Sequence, residues 1–315
     1  MESTRQITPH RSLSEEEAEA RFGQLQKKLV PLWESINSLS MEEQTIVVVP
    51  SLTVDSSLGS VMQAYEERFL FLLLLLRQPN ARLIYVTSQP ILPSIVDYYI
   101  GLLPGVISSH ARRRLFLLSP QDGSFRPLTE KLLERPRFLQ HIQALIPDRN
   151  RAHLVPYNTT EMERDLAVRL GIPMYGADPK FFHFGTKSGC RRLFAEEGVS
   201  HPMGFENLHS VQEIVAAIQQ IRARRSEVAK VIVKLNEGVS GEGNAVVDLQ
   251  DLPAPGESRE APSILERLKK MQFELSGATF DAYTGKLTER GGVVEEMITG
   301  QEVRSPSVQM RVTPL

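Results

Sequence analysis

The 315-residue sequence has a single cysteine, Cys190, so no disulfide can form within the chain and a cysteine-based zinc site is excluded. Its seven histidines show neither H-x-x-x-H nor H-E-x-x-H spacing, which argues against a histidine metal centre too. An excess of one charge is also missing. The 36 Lys and Arg stand against 38 Asp and Glu, for a net charge of −2. Such a balance lacks the basic face that non-specific nucleic-acid binding needs, but it leaves room for one small anion held by a few lysines. Long apolar runs are absent. Phe69 to Leu76 is the most apolar stretch and has eight residues, where a membrane-spanning helix takes about twenty. It is predicted to be a fully buried core helix. Met1 to Arg5 lack the apolar stretch of a secretory signal. The expectation is a chain with no membrane partner, in a reducing, cytoplasmic setting.

Hydrophobic content is 41%, enough for a sizeable core and two ordinary domains. Residues 1–12 read as disordered. Ser14 and Glu17 form a capping box that opens a helix to about Val30, and Pro31 kinks or restarts it. Short β-branched or apolar runs follow at Thr45–Val49, Arg82–Ser88, Arg114–Ser119 and His153–Tyr157. Helical patterns separate them, among them the segment around Leu70, a helix opened by Pro90 and Pro93 that runs to about Leu102, Leu128 to Ile146, and Thr160 to Leu170. Strands alternating with helices predict a mostly parallel sheet covered on both faces. This α/β pattern runs to about residue 175.

After Gly176 the pattern changes. Lys187 to Gly198 and Val211 to Arg225 are predicted helices. Val228 to Leu235 and Asn244 to Leu249 read as two strands of a hairpin, since too few residues separate them for a crossover. Pro253 to Pro262 reads as an exposed connection. Ile264 to Met271 and Phe280 to Thr288 read as helices, Gly292 to Ile298 as a strand, and Val308 to Val312 as another.

The hairpin loop, Gly238-Val239-Ser240-Gly241-Glu242-Gly243, is the segment richest in chemistry. Its glycines allow positive φ and let bare backbone amides approach a phosphate. Lys234, at the end of the preceding strand, can bring an ammonium to the same oxygens. Two familiar phosphate motifs are excluded. The glycine order is G-x-x-G-x-G and a strand follows, so the loop is no dinucleotide fingerprint. Gly185-Thr186-Lys187-Ser188 has threonine where a Walker A motif requires glycine. Taken alone, the loop serves equally well as a flexible hairpin with no ligand.

Order and spacing favour a ligand. Lys187 opens a helix, Lys234 closes a strand, the glycine loop follows, and Glu295-Glu296-Met297-Ile298 and Glu302 come after it. In this series the chain, from Lys187 to about Glu302, resembles the ATP-grasp superfamily. In Pro179 to Pro202 and Gly291 to Glu302 it is similar to the pheganomycin-type peptide ligases. The resemblance implies an α/β fold in two parts. Residues 1–176 would be a Rossmann-like pre-ATP-grasp domain with an N-terminal helix. Residues 177–315 would be an ATP-grasp domain, with a lid at roughly 228–294.

The resemblance also implies roles. Lys187 and Lys234 would meet the ATP phosphates. Glu237, Gly238, Ser240, Gly241 and Gly243 would belong to the loop that closes over them. Glu295 would accept from the adenine amino group, Glu296 to Ile298 would form the backbone hinge for the base, and Glu302 would hold the ribose hydroxyls. Arg311 is a candidate for substrate contact. No protein nucleophile is required. The implied reaction is ATP-dependent joining of a small carboxylate to an amine or peptide through an acyl phosphate. Magnesium would assist as cofactor, and a homodimer is compatible with the architecture.

One feature departs from the pattern. The superfamily places its magnesium carboxylates well after the ribose acid, yet thirteen residues follow Glu302 and none is acidic. The metal ligands are therefore expected beyond residue 315, in a C-terminal half that this chain does not complete. The alternative is a non-catalytic nucleotide-binding or interaction module on a degenerate ATP-grasp fold. An α/β enzyme with a different phosphate ligand, such as a kinase, is a third reading.

Overall fold

The computed structural model describes residues 14–38, 42–53, 62–238, 241–300, 302–304, 306–310 and 312–315. They divide into two compact units. The first holds residues up to 179 together with 312–315, and the second holds 180–310.

The first unit opens with α1 (Glu15–Gln26), whose Ser14 and Glu17 form a reciprocal capping box. Helix α2 (Leu29–Asn37) follows a break at Lys27 and Lys28, ahead of the proline that marked it in sequence. Pro31 sits inside the first turn of α2, where no intrahelical donor is needed, so it does not interrupt the helix. Then come β1 (Gln44–Val49), α3 (Met62–Glu66), a 3-10 helix over Glu67–Arg77, β2 (Ala81–Val86), α4 (Pro93–Gly101), α5 (Ser108–Arg113) and β3 (Leu115–Leu118). The unit continues with α6 (Leu128–Leu133), α7 (Pro136–Ala144), β4 (Ala152–Pro156) and α8 (Glu161–Leu170).

The four strands are parallel, in the order β3-β2-β1-β4. Alternate residues serve opposite faces. Val47, Val49, Ile84 and Val86 join one hydrophobic cluster, with α6, α7 and α8. Ile46, Val48, Leu83 and Tyr85 join another, with the 3-10 segment and α4. Burial on both faces explains why these strands are almost uniformly apolar.

Two expectations for this unit need correction. The apolar run is not a fully buried α-helix. As a 3-10 helix with three residues per turn, it buries one ridge, Leu70, Leu73 and Leu76, and leaves Phe71 and Leu74 about half exposed. The single helix expected over 128–146 is two helices, because Pro136 cannot continue the first and starts the second.

In the second unit a 3-10 turn (Pro179–Gly185) leads into α9 (Lys187–Glu196). Next come β5 (Gly204–Leu208), α10 (Val211–Arg224), β6 (Lys230–Leu235), β7 (Asn244–Asp248), α11 (Glu260–Lys269), β8 (Gln272–Phe273), α12 (Phe280–Arg290) and β9 (Gly292–Glu296). The sheet order is β5-β9-β6-β7-β8, antiparallel throughout. Its core face carries Val231, Val233, Ala245, Val247 and Val294, covered by α10, α11 and α12. The short edge strand β5 and the two-residue β8 carry little apolar alternation and are not legible in sequence. Met297 and Ile298 lie past the end of β9, not within it. The strand expected at Val308–Val312 is not formed in the described residues 308–310, where Val308 and Met310 are strongly exposed. Alternation alone does not make a strand when no neighbouring strand supplies hydrogen bonds.

Candidate functional site

The site is built on the sheet face opposite the hydrophobic core. Strand β6 points Val231, Val233 and Leu235 inward, so Ile232 and Lys234 fall on the other side. In the ladder with β9, Ile232 stands opposite Glu295 and Lys234 opposite Val293. Lys234 and Glu295 are thus diagonal neighbours, and Lys234 Nζ pairs with Glu295 Oε2. The other carboxylate oxygen, Glu295 Oε1, accepts from Arg191 on α9 at 2.8 Å. Arg191 is buried and also donates to Glu206 Oε1 at 2.6 Å and to the Pro202 carbonyl at 2.8 Å. Burial raises the Glu295 pKa, but the hydrogen bonds and charges of Lys234 and Arg191 outweigh it and hold the carboxyl below its ordinary value.

Lys187 reaches the same place by another route. Asn236, the residue after β6, is buried and acts as a hub. Its carbonyl accepts from the Lys187 amide at 3.1 Å. Its Oδ1 accepts from the Ser188 amide at 3.1 Å and the Ser188 hydroxyl at 2.7 Å, and its Nδ2 donates to the Arg290 carbonyl at 2.9 Å. The first turn of α9 is thereby fastened to the end of β6. Lys187 Nζ then donates to the Gly238 carbonyl at 2.8 Å. Burial lowers the Lys187 pKa and the nearby charge of Lys234 lowers it further, while Cys190 and Glu295 act the other way. Two neighbouring ammonium groups are well placed to share an anion.

The glycine loop is closely folded at its base. The Leu235 amide donates to the Gly243 carbonyl at 2.9 Å, and the buried Tyr283 hydroxyl donates to the same oxygen at 2.8 Å. A Cβ at Gly238 would lie 2.8 Å from the Gly243 Cα, so the two arms pass too closely for any side chain. Gly241 adopts φ +84°, in the region that favours glycine. Glu237 is half-buried in the turn after Asn236. Ser240 and Arg311 lie outside the described residues, as does the disorder expected for 1–12.

The remaining predicted residues lie elsewhere. Glu296 pairs with Arg225 at 2.7 Å and accepts from the Met203 amide at 2.9 Å. With Met297, Ile298, Thr299 and Lys230 it lines a cavity of about 410 Å³. Two hinge amides are engaged within the sheet: Glu296 donates to the Met203 carbonyl and Met297 to the Lys230 carbonyl. Glu302 is exposed, and its carboxylate accepts from Arg304 at 2.6 Å. Sequence reasoning gave no role to Asn236, Arg191, Ser188 or Glu206. Among the described residues no three His, Cys, Asp or Glu side chains come together as a metal-binding group.

The chain is similar to several known proteins. Residues 180–256, which hold α9, β6 and the glycine hairpin, match the family described as "IQCH-like, ATP-grasp". The chain is 24% identical over 333 residues, 91% of its length, to IQ motif-containing protein H of Danio rerio, of which it covers 31%. It is 27% identical over 241 residues, 74% of its length, to the L-propargylglycine–L-glutamate ligase of Streptantibioticus cattleyicolor, of which it covers 47%. The chain therefore spans less than half the length of either relative. Among solved structures it is similar to D-alanyl-alanine synthetase A from Vibrio cholerae, with TM-score 0.39 and 11% identity, covering 82% of this chain and 60% of that one. It is also similar to an N5-carboxyaminoimidazole ribonucleotide synthetase in its ADP complex, with TM-score 0.39 and 8% identity, over 82% and 48% of the two chains. The chain is of the α/β class, and its residues 180–256 carry the sequence likeness to the ATP-grasp superfamily. Within that superfamily, the family that matches residues 180–256 is the IQCH-like one.

Proposed function

We propose that this chain carries the nucleotide-binding part of an ATP-dependent carboxylate–amine ligase. The observation behind this reading is the convergence of Lys187, Lys234 and the glycine hairpin at one end of β6. The two lysines serve the phosphates, the loop closes over them, and the Glu296–Ile298 segment presents backbone to the base. Glu302 is assigned to the ribose hydroxyls, although its present partner is Arg304. A carboxylate oxygen of the acceptor attacks the γ-phosphorus of ATP, releasing ADP and forming an acyl phosphate. An amine then attacks the acyl carbon, expels phosphate and loses a proton, leaving an amide. The protein contributes positioning and charge neutralisation. Magnesium, when bound, would screen the phosphates, but no ligand for it is assigned within this chain. The ligase relative bears on the substrate class by its name, which joins one amino acid to another.

A second reading is nucleotide binding without turnover. It is favoured by the match to the IQCH-like family and to an IQ motif-containing protein. One experiment separates the readings. The full-length protein, including any segment that supplies magnesium ligands, is incubated with ATP and magnesium, with pooled amino acids as acceptors and 18O in their carboxylates. Amide product with 18O in the released phosphate supports the ligase. ATP binding with no product supports the second reading. A phosphorylated acceptor with no amide would sink both in favour of a kinase.

A further inference from the structure

We infer that Arg191 is a positioning residue, holding Glu295 so that Glu295 in turn holds Lys234 against the nucleotide phosphates. The inference rests on the nucleotide reading above and adds to it a charge relay, Glu206–Arg191–Glu295–Lys234. Four elements supply its members: β5, α9, β9 and β6.

The geometry supports a relay over separate ion pairs. The two middle members are the most buried, with side chains 5% and 9% exposed for Arg191 and Glu295, against 25% for Glu206 and 26% for Lys234 at the ends. A buried guanidinium must have its donors satisfied, and Arg191 places three: on Glu206, on Glu295 and on the Pro202 carbonyl. Its planar fork then fixes the orientation of the Glu295 carboxylate. Lys234, by contrast, is a point charge on a flexible stem that loses considerable rotamer freedom when it is held. Anchoring it to a carboxylate that is itself anchored meets that cost before ligand arrives. Both oxygens of Glu295 are engaged in this way, one by each cation. That makes Glu295 a holder of Lys234 and leaves recognition of the base to the backbone beyond β9. The sequence resemblance had implied a direct adenine contact instead.

The test compares ATP, which needs Lys234, with adenosine, which lacks phosphate. Dissociation constants are measured by calorimetry for ATP and by ligand-observed NMR for adenosine. The proteins are the parent, Arg191→Met, Arg191→Lys, Glu295→Gln and the double variant Arg191→Met/Glu295→Gln. A relay predicts that Arg191→Met weakens ATP by roughly tenfold, the scale of one charge-assisted hydrogen bond, and leaves adenosine within twofold. Arg191→Lys should recover part of the loss. The double variant should bind ATP about as weakly as either single one, because the members act in series. Equal losses for ATP and adenosine, or additive effects, would overturn the relay. If Arg191→Met does not fold, the isosteric Glu295→Gln decides alone. Loss confined to ATP supports holding, and a changed preference between adenosine and inosine shows a base contact and overturns the inference. A parent protein that binds neither ligand would defeat the nucleotide reading itself, an outcome distinct from a parent that binds and variants that do not discriminate.

Discussion

Lys234 on β6 and Glu295 on β9 meet diagonally across an antiparallel ladder, on the face away from the hydrophobic core. A lysine there is held by charge, not by packing. It is only partly buried, and its side chain lies beside Lys187 closely enough to depress that group's protonation. The arrangement brings two ammonium groups to the mouth of the glycine hairpin while the carboxylate keeps one of them in register.

Removing that cation should show directly in ligand affinity. Lys234→Ala is expected to weaken ATP by about 10- to 100-fold, the range for hydrogen bonds to charged groups. Calorimetry at fixed ionic strength checks it, since screening affects the lysines in any case. An unchanged dissociation constant would mean the phosphates lie elsewhere.

Asn236 should matter for stability as well as binding. Its side chain satisfies the Ser188 amide and hydroxyl and the Arg290 carbonyl. Asn236→Ala leaves those buried groups unpaired and should cost about 3 kcal/mol. It should also loosen the first turn of α9 and so displace Lys187. Urea unfolding measures the first effect and ATP titration the second. A loss of stability below about 0.5 kcal/mol, the level of an ordinary surface change, would contradict the hub role.

The parts that were legible in sequence share a physical cause. The strands β1, β2 and β4 are buried on both faces, so their apolar runs stand out against any neighbour. Lys187, Lys234 and the glycine loop were visible because charge and glycine at the ends of apolar segments need an explanation. Arg191 and Asn236 were not, because an arginine in a helix and an asparagine in a turn look the same whether solvated or buried. Only the register of β6 against β9 and the packing of α9 show that one is a strut and the other a hub. Strand β5 is hidden for a related reason: it is an edge strand of five residues whose apolar side chains, Phe205 and Leu208, do not alternate, and it is defined by its partner and not by its own pattern.

His153 gives a prediction for the first unit. It is buried beside Trp33 and Tyr175, with ring centroids 5.1 and 6.4 Å away, and burial pushes its pKa down from 6.5 to about 4. The sign follows from linkage. Above pH 6.5 the residue is neutral in both folded and unfolded chains and has no effect. Between pH 6.5 and about 4 the unfolded chain takes up a proton that the folded chain refuses, so stability falls by up to about 1.4 kcal/mol per pH unit. Below pH 4 the difference is constant. His153→Phe removes this term. The variant's stability relative to the parent should therefore rise as pH drops from 6.5 to 4 and level off below. Denaturant unfolding across that range checks it, and a pH-independent difference would show that His153 titrates alike in both states.

Glu302 offers the cleanest separation of a binding role from a structural one. Its carboxylate meets only Arg304 among the described contacts, two residues along an exposed segment. Exposed pairs of this kind add little to stability, so Glu302→Ala should leave thermal unfolding unchanged. If the carboxylate turns to the ribose when nucleotide binds, the same substitution should weaken ATP by roughly fivefold, a typical loss for a partly solvated hydrogen bond to a charged group. It should leave dideoxy-ATP, which lacks both hydroxyls, unaffected. Both nucleotides share the phosphates and the base, so the lysines and the hinge cancel in the comparison. Equal losses for the two, or no loss for either, would remove Glu302 from the site and leave the ribose without a carboxylate from this segment.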